Sequence, residues 1–153
     1  MKKQYKYLIA CLAIPLAIGG LSALFTQSSM ETFDAIIKPA FAPPAWLFPV
    51  AWTILYILMG IASYLILISG KPYTLAMTVY IIQLIFNFFW PIIFFNTGQY
   101  LLAFIWLVLL WLLIFLTTIL FYCLSKPAGY LMLPYLLWVT FAGYLNFSIY
   151  LLN

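Results

Sequence analysis

Apolar residues along this chain come in long unbroken runs, not in the period-two alternation of half-buried strands. Five runs stand out: Tyr7–Phe25, Pro44–Ser69, Tyr73–Phe95, Tyr100–Leu124 and Tyr130–Leu152. Each holds about 19–26 residues, enough for a helix to cross ~30 Å of hydrocarbon. A transmembrane β-barrel would instead show ten-residue alternating segments. The pattern predicts an all-α integral membrane protein, with residues 1–153 forming a single bundle of five transmembrane helices. The first run follows the basic stretch "MKKQYK", as a signal peptide would. It is long for that role and no small-residue cleavage motif ends it, so it reads as a span.

The breaks between runs are short: "SGKPY" at 69–73, "NTGQ" at 96–99 and "SKPAG" at 125–129. Short connections force neighbouring helices to run antiparallel. In Lys71-Pro72 and Lys126-Pro127 a lysine suits a helix C-terminus and a proline cannot continue the helix. The one long connection, 26–43, carries a capping box in Ser28 and Glu31. Met30, Phe33 and Ile37 follow at helical spacing, so a short amphipathic helix is expected there, lying over the bundle mouth as a lid or resting on headgroups as an anchor.

Composition sharpens this reading. Hydrophobic residues make up 69% of the 153 and charged residues 5%, and mean hydropathy is +1.20. A soluble domain needs far more charge to cover its surface. The net charge of +4 comes from six lysines, three of them within the first six residues. No basic face is formed, so nucleic acid is not an expected partner. Placing the N-terminus in the cytoplasm puts Lys2, Lys3, Lys6, Lys71 and Lys126 inside, with Lys38, Glu31 and Asp34 outside.

The candidate chemistry is sparse. There is no histidine, and the only acids are Glu31 and Asp34 in one loop. The usual general base, haem ligand and zinc ligand are therefore missing, and neither a metal nor a cofactor is expected. Cys11 and Cys123 fit neither a metal site nor a redox pair and read as two buried apolar thiols.

Polar side chains inside a span need partners. Gln83 and Asn87 share a face of the third run, continuing to Trp90 or Pro91 and Phe94. In the fifth run Trp138, Ala142 and Asn146 share a face, with Tyr135 one turn before. In the second, Pro49, Trp52 or Thr53, Tyr56 and Gly60 form a stripe. These stripes suggest an internal, mostly apolar cavity with a few hydrogen-bonding points. The bland alternative is amides that only join helix to helix. Trp46, Tyr73 and Tyr100, near span ends, read as interfacial belt residues.

One stretch carries more than composition. "KPAFAPPAWLFPVAWTILYILMG" at 38–60 closely resembles the first-loop and second-helix signature of the translocator-protein family. That family is also called the tryptophan-rich sensory proteins or peripheral-type benzodiazepine receptors. "QLIFNFFW" at 83–90 and "PYLLWVTFAGYLNFSIYLLN" at 134–153 agree. The resemblance implies a five-helix bundle, often a homodimer, with a ligand pocket under the first loop. It implies porphyrins such as protoporphyrin IX, isoquinoline-carboxamide or benzodiazepine-type drugs, and in animals cholesterol, as ligands. Carried over, the pocket residues are Pro49, Trp52, Asn87, Trp90, Trp138, Ala142 and Leu145. With the stripes and the loop motif, the candidate ligand-binding set becomes Pro43, Trp46, Pro49, Trp52, Tyr56, Gln83, Asn87, Trp90, Trp138, Ala142, Leu145 and Asn146.

Departures from the family pattern matter too. Phe33 and Phe41 stand where the family often has tryptophan, and Pro91 replaces the usual small hydroxyl. Nothing basic follows Tyr144 or Tyr150, so the cholesterol-type pattern fails, and a bacterial-type member in a bacterial cell membrane is expected. The leading function is a membrane receptor or binding protein for porphyrins and drug-like apolar molecules. The alternatives are a light-dependent porphyrin-degrading enzyme, with Trp52 and Trp138 as candidate catalytic rings, and a tetrapyrrole or sterol transporter. Transport finds no inverted repeat, intramembrane charge or broken-helix pair in the sequence.

Overall fold

The computed structural model describes residues 2–29 and 34–153. Among them, five helices are long and apolar enough to cross a membrane. They are α1 (Lys2–Thr26), α2 (Leu47–Leu67), α3 (Thr74–Pro91), α4 (Tyr100–Leu124) and α5 (Lys126–Leu152). A 3₁₀ turn, Gln27–Ser29, ends α1, and a π-helical turn, Ile92–Asn96, extends α3.

The helices close into a ring. α1 packs on α2, α2 on α5, α5 on α4, α4 on α3, and α3 returns to α1. The interior is filled by Met59, Ala62 and Ile66 of α2, Leu84 of α3, Leu107, Leu110 and Ile114 of α4, and Met132 and Val139 of α5. The outer faces carry exposed Leu, Ile and Phe side chains, the surface hydrocarbon solvates.

The α4 boundaries match the sequence expectation. The others move, each for a local reason. α5 begins at Lys126, not at Tyr130, because Pro127 lies in its first turn, where its missing N–H costs no bond. Only Ser125 separates α4 from α5. Lys71 does serve a helix C-terminus, but that of α4: its Nζ donates to the carbonyls of Leu124 at 2.7 Å and Cys123 at 3.4 Å. Gly70 (φ 69°) and Gly98 (φ 63°) take the left-handed conformation that the turns after α2 and before α4 require.

Two prolines are matched by cross-helix contacts. Pro91 precedes the π turn, and near it Ser22 Oγ of α1 donates to the Phe88 carbonyl at 3.0 Å. Pro15 frees the Cys11 carbonyl on α1, and Gly60 of α2 approaches it so closely that a Cβ would stand 2.8 Å from that oxygen. Cys11 is buried, as expected; Cys123 is exposed, because it faces outward from the last turn of α4.

The expected amphipathic helix falls partly on residues 30–33, which include Glu31 of the capping box and lie outside the described residues. Beyond them Asp34 and Ala35 are helical, and the chain then bends at Ile36 and runs without regular structure to Pro39. Asn153 holds this segment from the end of α5: its Oδ1 accepts from Ile37 N at 3.0 Å and its Nδ2 donates to Ile37 O at 2.9 Å. Phe41 stacks on Tyr144 of α5 with ring centroids 4.9 Å apart.

Candidate functional site

Inside the ring is a cavity of about 360 Å³, within the range of roughly 300–1,000 Å³ usual for small-molecule sites. Its walls are mostly rings. α2 supplies Phe48, Pro49, Trp52 and Tyr56. α3 and its π turn supply Trp90, Pro91, Phe94 and Phe95. α5 supplies Trp138, Ala142, Leu145 and Asn146. The helical period brings these together: positions four apart on each helix turn one stripe inward.

Trp52 sits at the centre of the ring cluster. It stacks on Tyr56 (centroids 5.6 Å, interplanar angle 29°), tilts against Trp90 at 6.3 Å and meets the edge of Tyr135 at 6.1 Å. Such offset and edge contacts suit the ring quadrupoles and hold each indole in one orientation. Trp138 has different neighbours, Phe48 at 6.1 Å and Phe141 at 5.7 Å. Its Nε1 is buried with no acceptor.

Most polar groups in the walls are already engaged. Trp90 Nε1 donates to Asn146 Oδ1 at 3.3 Å, and Asn146 Nδ2 donates to the Tyr100 carbonyl at 2.9 Å. Thr53 and Thr26 donate to backbone carbonyls of their own helices. Beneath the cavity runs a buried chain of hydrogen bonds. Tyr56 OH donates to Asn87 Oδ1 at 2.7 Å, and Asn87 Nδ2 donates to Tyr135 OH at 2.7 Å. Tyr135 OH then donates to Gln83 Oε1 at 2.9 Å.

The structure therefore sorts the candidate residues. It gathers Pro49, Trp52, Tyr56, Trp90, Trp138, Ala142, Leu145 and Asn146 around one space. It places Gln83 and Asn87 under that space as a floor between helices, with both ends of the Asn87 amide engaged. Pro43 lies in the irregular stretch before α2, and Trp46 stands exposed at the head of α2; neither lines the cavity. The sequence reading passed over the α1 wall, formed by Leu16, Gly19, Gly20, Ser22, Ala23 and Thr26. Its signal was present: two glycines and an i, i+4 pair of hydroxyls inside an otherwise apolar span.

A profile of the TspO/MBR family matches residues 11–152. The chain belongs to the TspO/MBR family. It is 40% identical over 157 residues to the tryptophan-rich protein TspO of Chlorobaculum tepidum, a match covering 100% of this chain and 99% of that one. It is 37% identical over 150 residues to protein CrtK of Rhodobacter capsulatus, covering 96% and 90%. It is also similar to the bovine translocator protein, at 33% identity over 142 residues, covering 90% and 84%. Membership in the TspO/MBR family and five spanning helices together make this an integral membrane protein of the sensory and binding type.

Proposed function

We propose that this TspO/MBR protein is a receptor that binds porphyrins such as protoporphyrin IX, and isoquinoline-carboxamide or benzodiazepine-type molecules, in the cavity inside the ring. The observation that carries the reading is the wall itself. Three indoles and several phenyl rings enclose a space with few free hydrogen-bonding groups, and that space suits a flat, apolar, aromatic molecule. Most rings are fixed by packing before a ligand arrives, so little ordering entropy is left to lose on binding. A two- or three-ring drug fits within the walls, whereas a tetrapyrrole would sit with part of its macrocycle outside them. We place the N-terminus in the cytoplasm on the lysine distribution, and the family resemblance favours a homodimer in a bacterial-type membrane.

A second reading, light-dependent porphyrin breakdown, is favoured by one feature. Trp52 has two phenols and an indole as ring neighbours, a cluster able to share an electron hole once the indole has reduced a photoexcited pigment. One experiment separates the two readings. Purified protein is mixed with protoporphyrin IX and the Soret band is followed in light and in dark. A shifted band stable under both conditions supports the receptor. A band lost only in light, and faster than with free pigment, supports the enzyme. No shift at all would reject porphyrin binding.

A further inference from the structure

We infer that the cavity opens sideways into the bilayer, through a slot between α1 and α2, and takes its ligands from molecules dissolved in the hydrocarbon. The inference deepens the binding reading above and rests on it for ligand class only. A cavity's mouth is marked by residues that line it and are also exposed outside. Among the described lining residues six are exposed: Leu16, Gly20 and Ala23 on α1, and Ala45, Pro49 and Thr53 on or just before α2. Those from α3, α5 and the π turn are buried or half-buried. The six form two facing lips. Leu16, Gly20 and Ala23 share one face of α1, and Ala45, Pro49 and Thr53 recur every four residues.

The same helix pair is closed lower down. Gly60 meets the α1 backbone at Cys11 and Leu12, each within 2.8 Å of where a Cβ would stand; within the slot's own span, Gly19 lies against the Tyr56 ring. Above the Gly60 crossing the lips are mostly small side chains, and a Cβ added at Gly20 would meet no atom within 4 Å. Leu16 lies about 15 Å below the end of α1, and Thr53 about 9 Å below the head of α2, at ~1.5 Å per residue. The slot is therefore at acyl-chain depth. It carries no charge, and its one hydroxyl, Thr53 Oγ1, is tied to the Pro49 carbonyl at 2.7 Å. A water-borne polar ligand gains nothing there; an apolar molecule already partitioned into lipid crosses without desolvation.

Two arms test the slot, both on the full chain in lipid nanodiscs. The blocking variant is Gly20→Phe with Thr53→Phe, one ring from each lip. The control is Leu21→Phe, on the exposed outer face of α1. In the first arm, a fluorescent isoquinoline-carboxamide is mixed with protein by stopped flow. The blocking variant should lower the association rate and the dissociation rate by about tenfold each, whereas mere loss of a wall contact would raise dissociation, and the control should behave as wild type. In the second arm no receptor ligand is used. The lipid contains a fatty acid with a mid-chain nitroxide, and the Ala142 methyl on the far cavity wall is read by NMR, assigned through Ala142→Gly. Wild type should show paramagnetic broadening of this methyl, reduced several-fold in the blocking variant. If the carboxamide does not bind wild type, the receptor reading fails and the Ala142 arm alone decides the slot. Unchanged rates, or Ala142 broadening equal in wild type and blocking variant, would overturn the slot.

Discussion

At the scale of single residues, Asn87 and Trp138 show how much depends on which neighbour a side chain meets. The sequence placed Gln83 and Asn87 on one face, and they do share it; what it could not supply is that two tyrosines from other helices, Tyr56 in the cavity wall and Tyr135, meet that face. A helical period gives a direction around one axis and nothing about what stands opposite. Asn87→Ala would leave the Tyr56 hydroxyl without an acceptor and the Tyr135 hydroxyl without a donor, and would open a void. Membrane interhelical hydrogen bonds average only ~0.6 kcal/mol. Two such bonds plus buried unpaired groups make the expected loss about 1–3 kcal/mol. Denaturant unfolding in mixed micelles reads this directly, and wild-type stability in the variant would refute the floor. Trp138 should respond oppositely to a conservative change. Its indole N–H is buried without an acceptor, so Trp138→Phe removes an unsatisfied donor along with some ring volume. Its stability should change by less than ~1 kcal/mol, far below the ~3–5 kcal/mol usual for deleting a buried aromatic side chain. The same unfolding measurement checks it.

At the scale of elements, the two helices α1 and α2 are joined and parted by glycines whose roles the sequence did not distinguish. Gly60 is where α2 touches the α1 backbone, near the carbonyl that Pro15 releases; Gly20 faces open space. Gly60→Ala should therefore push the helices apart and cost about 1–3 kcal/mol. Gly20→Ala should be neutral, or stabilise by about 0.5–1 kcal/mol, because a helical glycine is replaced where nothing is in the way. Thermal midpoints of the two variants should move in opposite directions or differ clearly; equal shifts would mean that the close crossing does not hold the pair. Helix identities were legible, since runs of this length admit one structure in lipid. Helix ends were less so. Pro127 is a stop signal when read from α4 and a first-turn residue when read from α5. The chain after Pro91 continues as a π turn, not an α-helix, and Ser22 of another helix bonds to the Phe88 carbonyl there.

At the scale of the whole molecule, closing five helices into a ring gives every inward stripe the same space to face, which is why three stripes read from sequence meet at one cavity. The α1 wall was missed because its lining residues, mostly small, carry no ring or amide to mark them. Ring closure also separates the two tryptophans that the sequence had treated alike. Trp52 lies among Tyr56, Trp90 and Tyr135, whereas Trp138 lies between phenylalanines. Phenols and indoles give up an electron far more readily than a phenyl ring. If bound protoporphyrin is bleached in light by electron loss from the protein, a hole on Trp52 can pass to a neighbouring ring, while a hole on Trp138 meets no oxidisable ring among the described residues and returns to the pigment. Trp52→Phe should therefore abolish protein-dependent bleaching, and Trp138→Phe should leave most of it. Both variants keep a ring of similar shape in the wall, so binding should weaken by no more than several-fold. The measurement illuminates protoporphyrin IX with wild type and each variant at matched bound fraction and equal oxygen. Equal bleaching in all three proteins would assign the loss to the pigment's own photochemistry. Loss in Trp138→Phe alone would contradict the ring cluster as the electron source.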